Sequence, residues 1–285
     1  MTARPENVTA RPENVTARPE NVTAGRENVT ARGEGVRRGL AEYALRLGDD
    51  ALIHAQRLGQ WIAAAPQLEE DVALGNIALD HLGQARSLLT YASQVEGAGR
   101  DEDALAYLRD EREFLNCQLV ELPNGDFGFA VARMLVFAAY QYELYSRLTS
   151  SADETLAAIA AKAVKEVDYH RDHATQWTLR LGDGTDESHA RMQNALDEVW
   201  PYVPELFESD ALVTSADLDG IAVDPATIET PALAYVDAVV RDATLSQPES
   251  NVRHAGGRRG VHTEHMGYLL AEMQVLARAH PGAAW

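Results

Sequence analysis

The sequence predicts an all-helical protein, a bundle of long helices with a shorter helical appendage. Three observations lead there. Apolar residues recur at three- and four-residue spacings over stretches of twenty residues or more. No stretch keeps the two-residue alternation of a half-buried strand. Glycine and proline collect mainly between the periodic stretches, where they end helices. With 285 residues and 46% hydrophobic content, the chain can bury a sizeable core.

Taken in order, the first element is not a helix. TARPENV occurs at Thr2–Val8, Thr9–Val15 and Thr16–Val22, then decays through TAGRENV to TARGEGV. A period of seven invites a coiled coil, but each unit has one valine as its only large apolar residue, and the first three carry proline. Residues 1–38 are therefore expected to be a disordered arm, and residues 39–285 a single helical domain. The Asn-Val-Thr triplets match a glycosylation sequon, which has little weight without a secretory leader.

From Leu40 the pattern becomes helical. LAEYALRLGDDALIHAQRLGQWIAAA sets Leu45, Gly48, Leu52, Ala55, Gly59 and Ile62 on one face and stops before Pro66. A second helix spans Asp71 to about Val95, with a stripe of Leu74, Ile77, Ala78, Leu82, Ala85, Leu88 and Leu89. A third is expected from Glu102 to Leu119, closed by the turn signal LPNGD. Phe127–Leu148 and Asp153–Leu181 give two more long helices. Glu187–Trp200, Pro231–Leu245 and Thr263–Ala279 follow, separated by Pro201, Pro204, the loop SADLDGIAVDP and a glycine-arginine loop.

Charge and cysteine exclude several function classes. The formal net charge is -19, a field that repels phosphate backbones and anionic lipid, so neither nucleic acid nor a membrane is expected as a partner. The single cysteine, Cys117, allows neither an internal disulfide nor a thiolate cluster, and is read as a buried thiol on an amphipathic helix. No apolar run approaches the ~20 residues of a membrane span. A cytoplasmic location is expected. Nucleophile motifs such as Gly-x-Ser-x-Gly are missing.

Long helices with internal acids raise the question of a paired-metal site. Carboxylate-bridged di-iron bundles take one carboxylate from each of two helices and Glu-x-x-His from each of two others. Asp49 and Asp50 lie on the first helix, Asp80 on the second, Glu143 on the fourth, and Glu166 with His170 on the fifth. Gly83 stands three residues after Asp80, where an imidazole would be needed, and Glu166 and His170 are four apart. Asp50, Asp80, Glu143, Glu166 and His170 thus read as degenerate positions of such a site. The structural alternative is preferred: Asp80 shares a stripe with Ala73, Asn76, Gly83 and Ser87, small or polar residues that let another helix approach closely. His262, Glu264 and His265 sit at a helix entrance beside Thr263, and a capping or interface role is preferred to metal. Arg253, Arg258 and Arg259 among glycines could clamp a phosphate or a partner's carboxylates, with a solvated surface loop paired to local acids as the equal alternative.

The motifs LRLGDDALIHAQRLGQW, NIALDHLGQARSLL, LPNGDF, AKAVKEVDYH, LGDGTD, GIAVDP and GRRGVHTEHMGYLLAEMQVLARAHPGAAW run in order from about Ala41 to Trp285. In these the chain resembles the C-subunit family of phenylacetyl-CoA epoxidase, also called ring 1,2-epoxidase; the repeat arm is outside the match. The resemblance implies the non-catalytic member of a multicomponent di-iron monooxygenase, a ferritin-like bundle that has lost its metal ligands and stabilises a homologous catalytic subunit. It implies no cofactor in this chain, a di-iron centre in the catalytic partner, and a reductase carrying FAD and an iron–sulfur centre that is fed by NADPH, with further small subunits. Such a chain is not expected to be active alone. The rival reading is a self-sufficient di-iron oxygenase using Asp50, Asp80, Glu143, Glu166 and His170.

Overall fold

The computed structural model describes residues 20–216 and 218–283, with side chains from Gly33 onward, and among them no strand occurs. Four long helices make a ferritin-like bundle: α1 (Glu20–Gly59), α2 (Leu68–Glu96), α4 (Phe127–Leu148) and α5 (Glu154–Gly182). The first two pack along each other, as do the last two, and α2 meets α5 across the bundle. Between the two pairs lies the short α3 (Glu102–Tyr107). Two later helices, α6 (Asp186–Val199) and α7 (Glu229–Asp242), cover α4 and α5, while α8 (Glu264–Ala279) packs on α3.

Local chemistry explains the boundaries. Asp126 and Asp153 accept the N–H of Phe129 and Leu156 and so cap α4 and α5. Thr185 caps α6, and Thr263 accepts the His265 N–H at the start of α8, the capping role expected from sequence. Gly128 to Gln141 is buried without a break, so α4 is the central helix of the bundle. No helix of the described residues is long and apolar enough to cross a membrane.

Two elements differ from expectation. Residues 1–19 of the predicted arm lie outside the described residues, whereas residues 20–38 continue α1 instead of forming a separate unstructured arm. The last proline of the repeat is Pro19 and the final two units carry none, so no ring interrupts the helix. The expected third helix, Glu102–Leu119, ends already at Tyr107. Beyond it, buried acids of α1 take the backbone donors: Asp49 accepts the Leu115 N–H at 2.9 Å and Asp50 the Cys117 N–H at 2.8 Å. Arg109 closes on the Asp49 carboxylate and lies 4.0 Å over the Phe114 ring. This segment is a lining strap drawn onto α1, and Cys117 is buried in it rather than on a helix.

Candidate functional site

The middle of the bundle holds imidazoles where a metal cage would need carboxylates. His54 of α1, His81 of α2 and His170 of α5 are each buried to within 2% exposure. The His54 and His81 rings lie 4.8 Å apart edge-on, His81 and His170 4.8 Å apart, and Phe137 of α4 packs 4.9 Å from His54. Burial holds His54 well below the usual imidazole range, aided by the nearby His81, Arg133 and His170, and burial with His170 does the same to His81. Arg133 of α4 is fully buried, donating to the Leu122 carbonyl and the Asn124 side chain, and desolvation pulls its pKa down to about 9. The Nδ1 atoms of all three histidines have no hydrogen-bond partner among the described residues.

The predicted core stripe of α2 holds at Leu74, Ile77, Ala85, Leu88 and Leu89, which are buried, and fails at one position. His81 and Gln84 are buried, and Leu82, counted in the core stripe, is 37% exposed. The i,i+3 pair pointing inward is therefore His81 with Gln84, and on α5 it is Val167 with His170. Neither pair contains an acid. His54 belongs to no carboxylate motif, and His81, next to Asp80 in the chain, is turned about 100° from the acid that a metal reading takes as inward. The signal was present, since Leu74, Ile77, His81, Ala85 and Leu88 keep the helical spacing without a gap.

The five degenerate positions share one contact, Asp80 with His170, and no common cage. Asp80 is partly exposed and bonds His170 Nε2 at 3.0 Å. Glu166 accepts from Gln84 at 3.0 Å and pairs with Lys162 at 3.2 Å at the bundle surface. Glu143 is partly exposed and makes no hydrogen bond or ion pair with the other four. Asp50 is buried and already paired, because both its oxygens face Arg258, at 2.9 and 2.8 Å. Among the described residues, no group of three or more His, Cys, Asp or Glu is arranged to hold a metal ion. A di-iron pair does not fit this centre: imidazoles, amides and a guanidinium offer no bridging negative charge to offset two iron cations.

The arginine loop also needs correction. Arg253 and Arg259 are exposed, but Arg258 is turned inward onto Asp50 and cannot serve as a contact for a CoA ester or a partner. It is drawn in because Glu205 accepts the N–H groups of Gly256 and Gly257 at 2.8 and 2.7 Å, tucking the loop beneath the strap. A side chain at Gly257 would overlap the Asn116 carbonyl, so only glycine fits there. His262 is buried too, 3.3 Å from Glu121 and 3.0 Å from the Phe114 carbonyl. Burial opposes its charge, but the Glu121 contact wins and raises its pKa. Of the candidate ligands, His262 is held in the core by Glu121, while Glu264 and His265 stand in the first turn of α8 that Thr263 caps.

Comparison with known proteins follows the same lines. A family model described as phenylacetic acid catabolic protein matches residues 22–285. The C subunit of 1,2-phenylacetyl-CoA epoxidase from Escherichia coli (strain K12) is 48% identical over 246 residues, covering 86% of this chain and 99% of that protein. Among solved structures, Protein 19 with aldehyde deformylating oxidase activity from Synechococcus aligns with a TM-score of 0.51 at 17% identity, over 75% of this chain and 93% of that one. That likeness speaks to the fold alone.

Proposed function

Because this chain belongs to the phenylacetic acid catabolic protein family, we propose that it is the structural, non-catalytic subunit of a phenylacetyl-CoA 1,2-epoxidase, and that it holds a homologous catalytic subunit in active form. On this reading the di-iron centre and the acyl-CoA pocket belong to the catalytic partner. Electrons come from NADPH through a reductase with FAD and an iron–sulfur centre, further small subunits complete the assembly, and the complex works in the cytoplasm.

One observation carries the proposal: the four inward positions of the bundle centre are His54, His81, Phe137 and His170, with no acid among them. What this chain supplies is a rigid body. The clamps Asp49–Arg109 and Asp50–Arg258 join α1 to the strap and the C-terminal loop, and α4 is packed along most of its length. Such a body can offer a helix face without rearranging.

The test is metal analysis of the isolated chain beside the co-expressed pair, with Glu166→Ala in the complex. The expected result is iron in the pair but not in the isolated chain, and epoxidation of phenylacetyl-CoA by the Glu166→Ala complex at the wild-type rate. Two irons per isolated chain, or a Glu166→Ala complex that assembles but is inactive, would overturn the proposal and favour the self-sufficient oxygenase.

A further inference from the structure

Helix α2 is apolar on two opposite faces. Its inner face, Leu74, Ile77, His81, Ala85 and Leu88, fills the core. Its outer face carries Leu68, Val72, Gly75, Leu79 and Leu82, spaced four, three, four and three residues apart. That is the seam spacing of one helix packing along another. The four large residues are 75%, 57%, 64% and 37% exposed. A second, exposed apolar stripe on a helix whose inner face already fills the core calls for a second packed body, yet only one is present here.

Two features define what covers this face. The first is cost without internal use. Gly75 and Gly83 lie inside α2, where glycine is about 0.5–1 kcal/mol worse than alanine. A Cβ on Gly75 would meet nothing within 4 Å, and one on Gly83 only the Lys162 Nζ at 3.8 Å. Nothing among the described residues requires either glycine, whereas a second helix crossing closely does. The second is charge. From Val72 to Gln84 the only ionisable residues of α2 are Asp80, bound to His170, and the buried His81. On α5, Lys162 reaches this edge, its Nζ 3.8 Å from the position of a Gly83 Cβ and 3.2 Å from Glu166, and the exposed Lys165 follows three residues on; they are the only two lysines in a chain of net charge -19.

We propose that the outer face of α2, with the Lys162–Lys165 edge of α5, is the docking surface for a helix of a different subunit, apolar along its facing side and flanked by carboxylates. The seam from Leu68 to Leu82 is about 21 Å long at 1.5 Å per residue, enough for four turns of such a helix. A second copy of this chain is the poorer occupant. In a two-fold contact each seam would face its identical counterpart, lysines included, between two bodies of charge -19. The inference rests on the structural-subunit reading, since it supplies the surface that reading needs.

The test uses the full chain co-expressed with the other epoxidase subunits. Leu79→Asp with Leu82→Asp changes exposed residues, so circular dichroism and the melting temperature of the free chain should stay as in wild type. Recovery of the complex should fall about tenfold or more, as expected for a residue at the centre of an interface. Lys162→Glu with Lys165→Glu should weaken it at low salt and less at high salt. Tyr268→Asp with Val275→Asp, on the exposed face of α8, should leave it unchanged. In a Leu79→Cys chain the new thiol should react with N-ethylmaleimide when free and be protected in the complex, Cys117 being buried. A wild-type complex that survives the seam variants and leaves the Leu79→Cys thiol reactive overturns the docking surface alone. A wild-type chain that recovers no other subunit overturns the structural-subunit reading together with it. A free chain that is a dimer until Leu79→Asp is introduced overturns the choice of a different subunit.

Discussion

Acid should unfold this protein through its central histidines. His54 and His81 are neutral in the fold because burial disfavours their charge, while in the unfolded chain each takes up a proton near pH 6.5. A group whose folded pKa is depressed in this way contributes to stability above 6.5 and costs stability as the pH falls below it. For two such groups the slope approaches about 2.7 kcal/mol per pH unit, so lowering the pH from 7.5 to 5.5 should remove about 2.7 kcal/mol. The positive Arg133 and the other imidazoles of the cluster add to the resistance against protonation. His262 has the opposite sign: its pKa is raised, so its contribution is complete below 6.5 and is lost as the pH rises. Urea unfolding followed by circular dichroism across this range, for wild type and for the double variant His54→Gln, His81→Gln, isolates the pair because His262 is common to both. The variant should be less stable at neutral pH and much flatter below pH 6.5. Parallel profiles for the two proteins would refute the argument that the buried imidazoles are uncharged.

Packing sets four further outcomes. Asp50→Asn strands the buried Arg258 guanidinium and should cost about 3–5 kcal/mol in urea unfolding, whereas an unchanged midpoint would mean the pair is not desolvated. Gly257→Ala should lower the melting temperature sharply by forcing the loop off Asn116, while Gly83→Ala, with open space above it, should stabilise the free chain by about 0.5–1 kcal/mol. The Cys117 thiol, its pKa pushed far up by burial and then by Asp50, should resist maleimide in the folded chain and react once in urea.

Some of this is legible in the amino-acid order. The span of α4 matches the periodic run Phe127–Leu148, since Asp126 and the polar TSSAD segment bracket it. Thr263 was readable as a cap for the same reason: capping is local chemistry. The strap after α3 was not, because its course is set by Asp49 and Asp50, more than sixty residues earlier. Likewise, Arg258 among glycines reads as a surface cation until Asp50 and Glu205 are seen to receive the loop. At the bundle centre the core stripe of α2 was legible, and the histidine that belongs to it was not. Taking Asp80 as the inward residue turns α2 by a single position, about 100°, and hides the histidine that fills the centre.

The Asp50–Arg258 clamp also governs when the molecule can become whole. Its halves are 208 positions apart, and Glu205 likewise waits for Gly256 and Gly257. While the ribosome is still making the last stretch of the chain, α1 presents a carboxylate to a core that has no countercharge for it. A chain truncated before the C-terminal loop lacks Arg258 and so keeps the buried Asp50 carboxylate without its guanidinium partner.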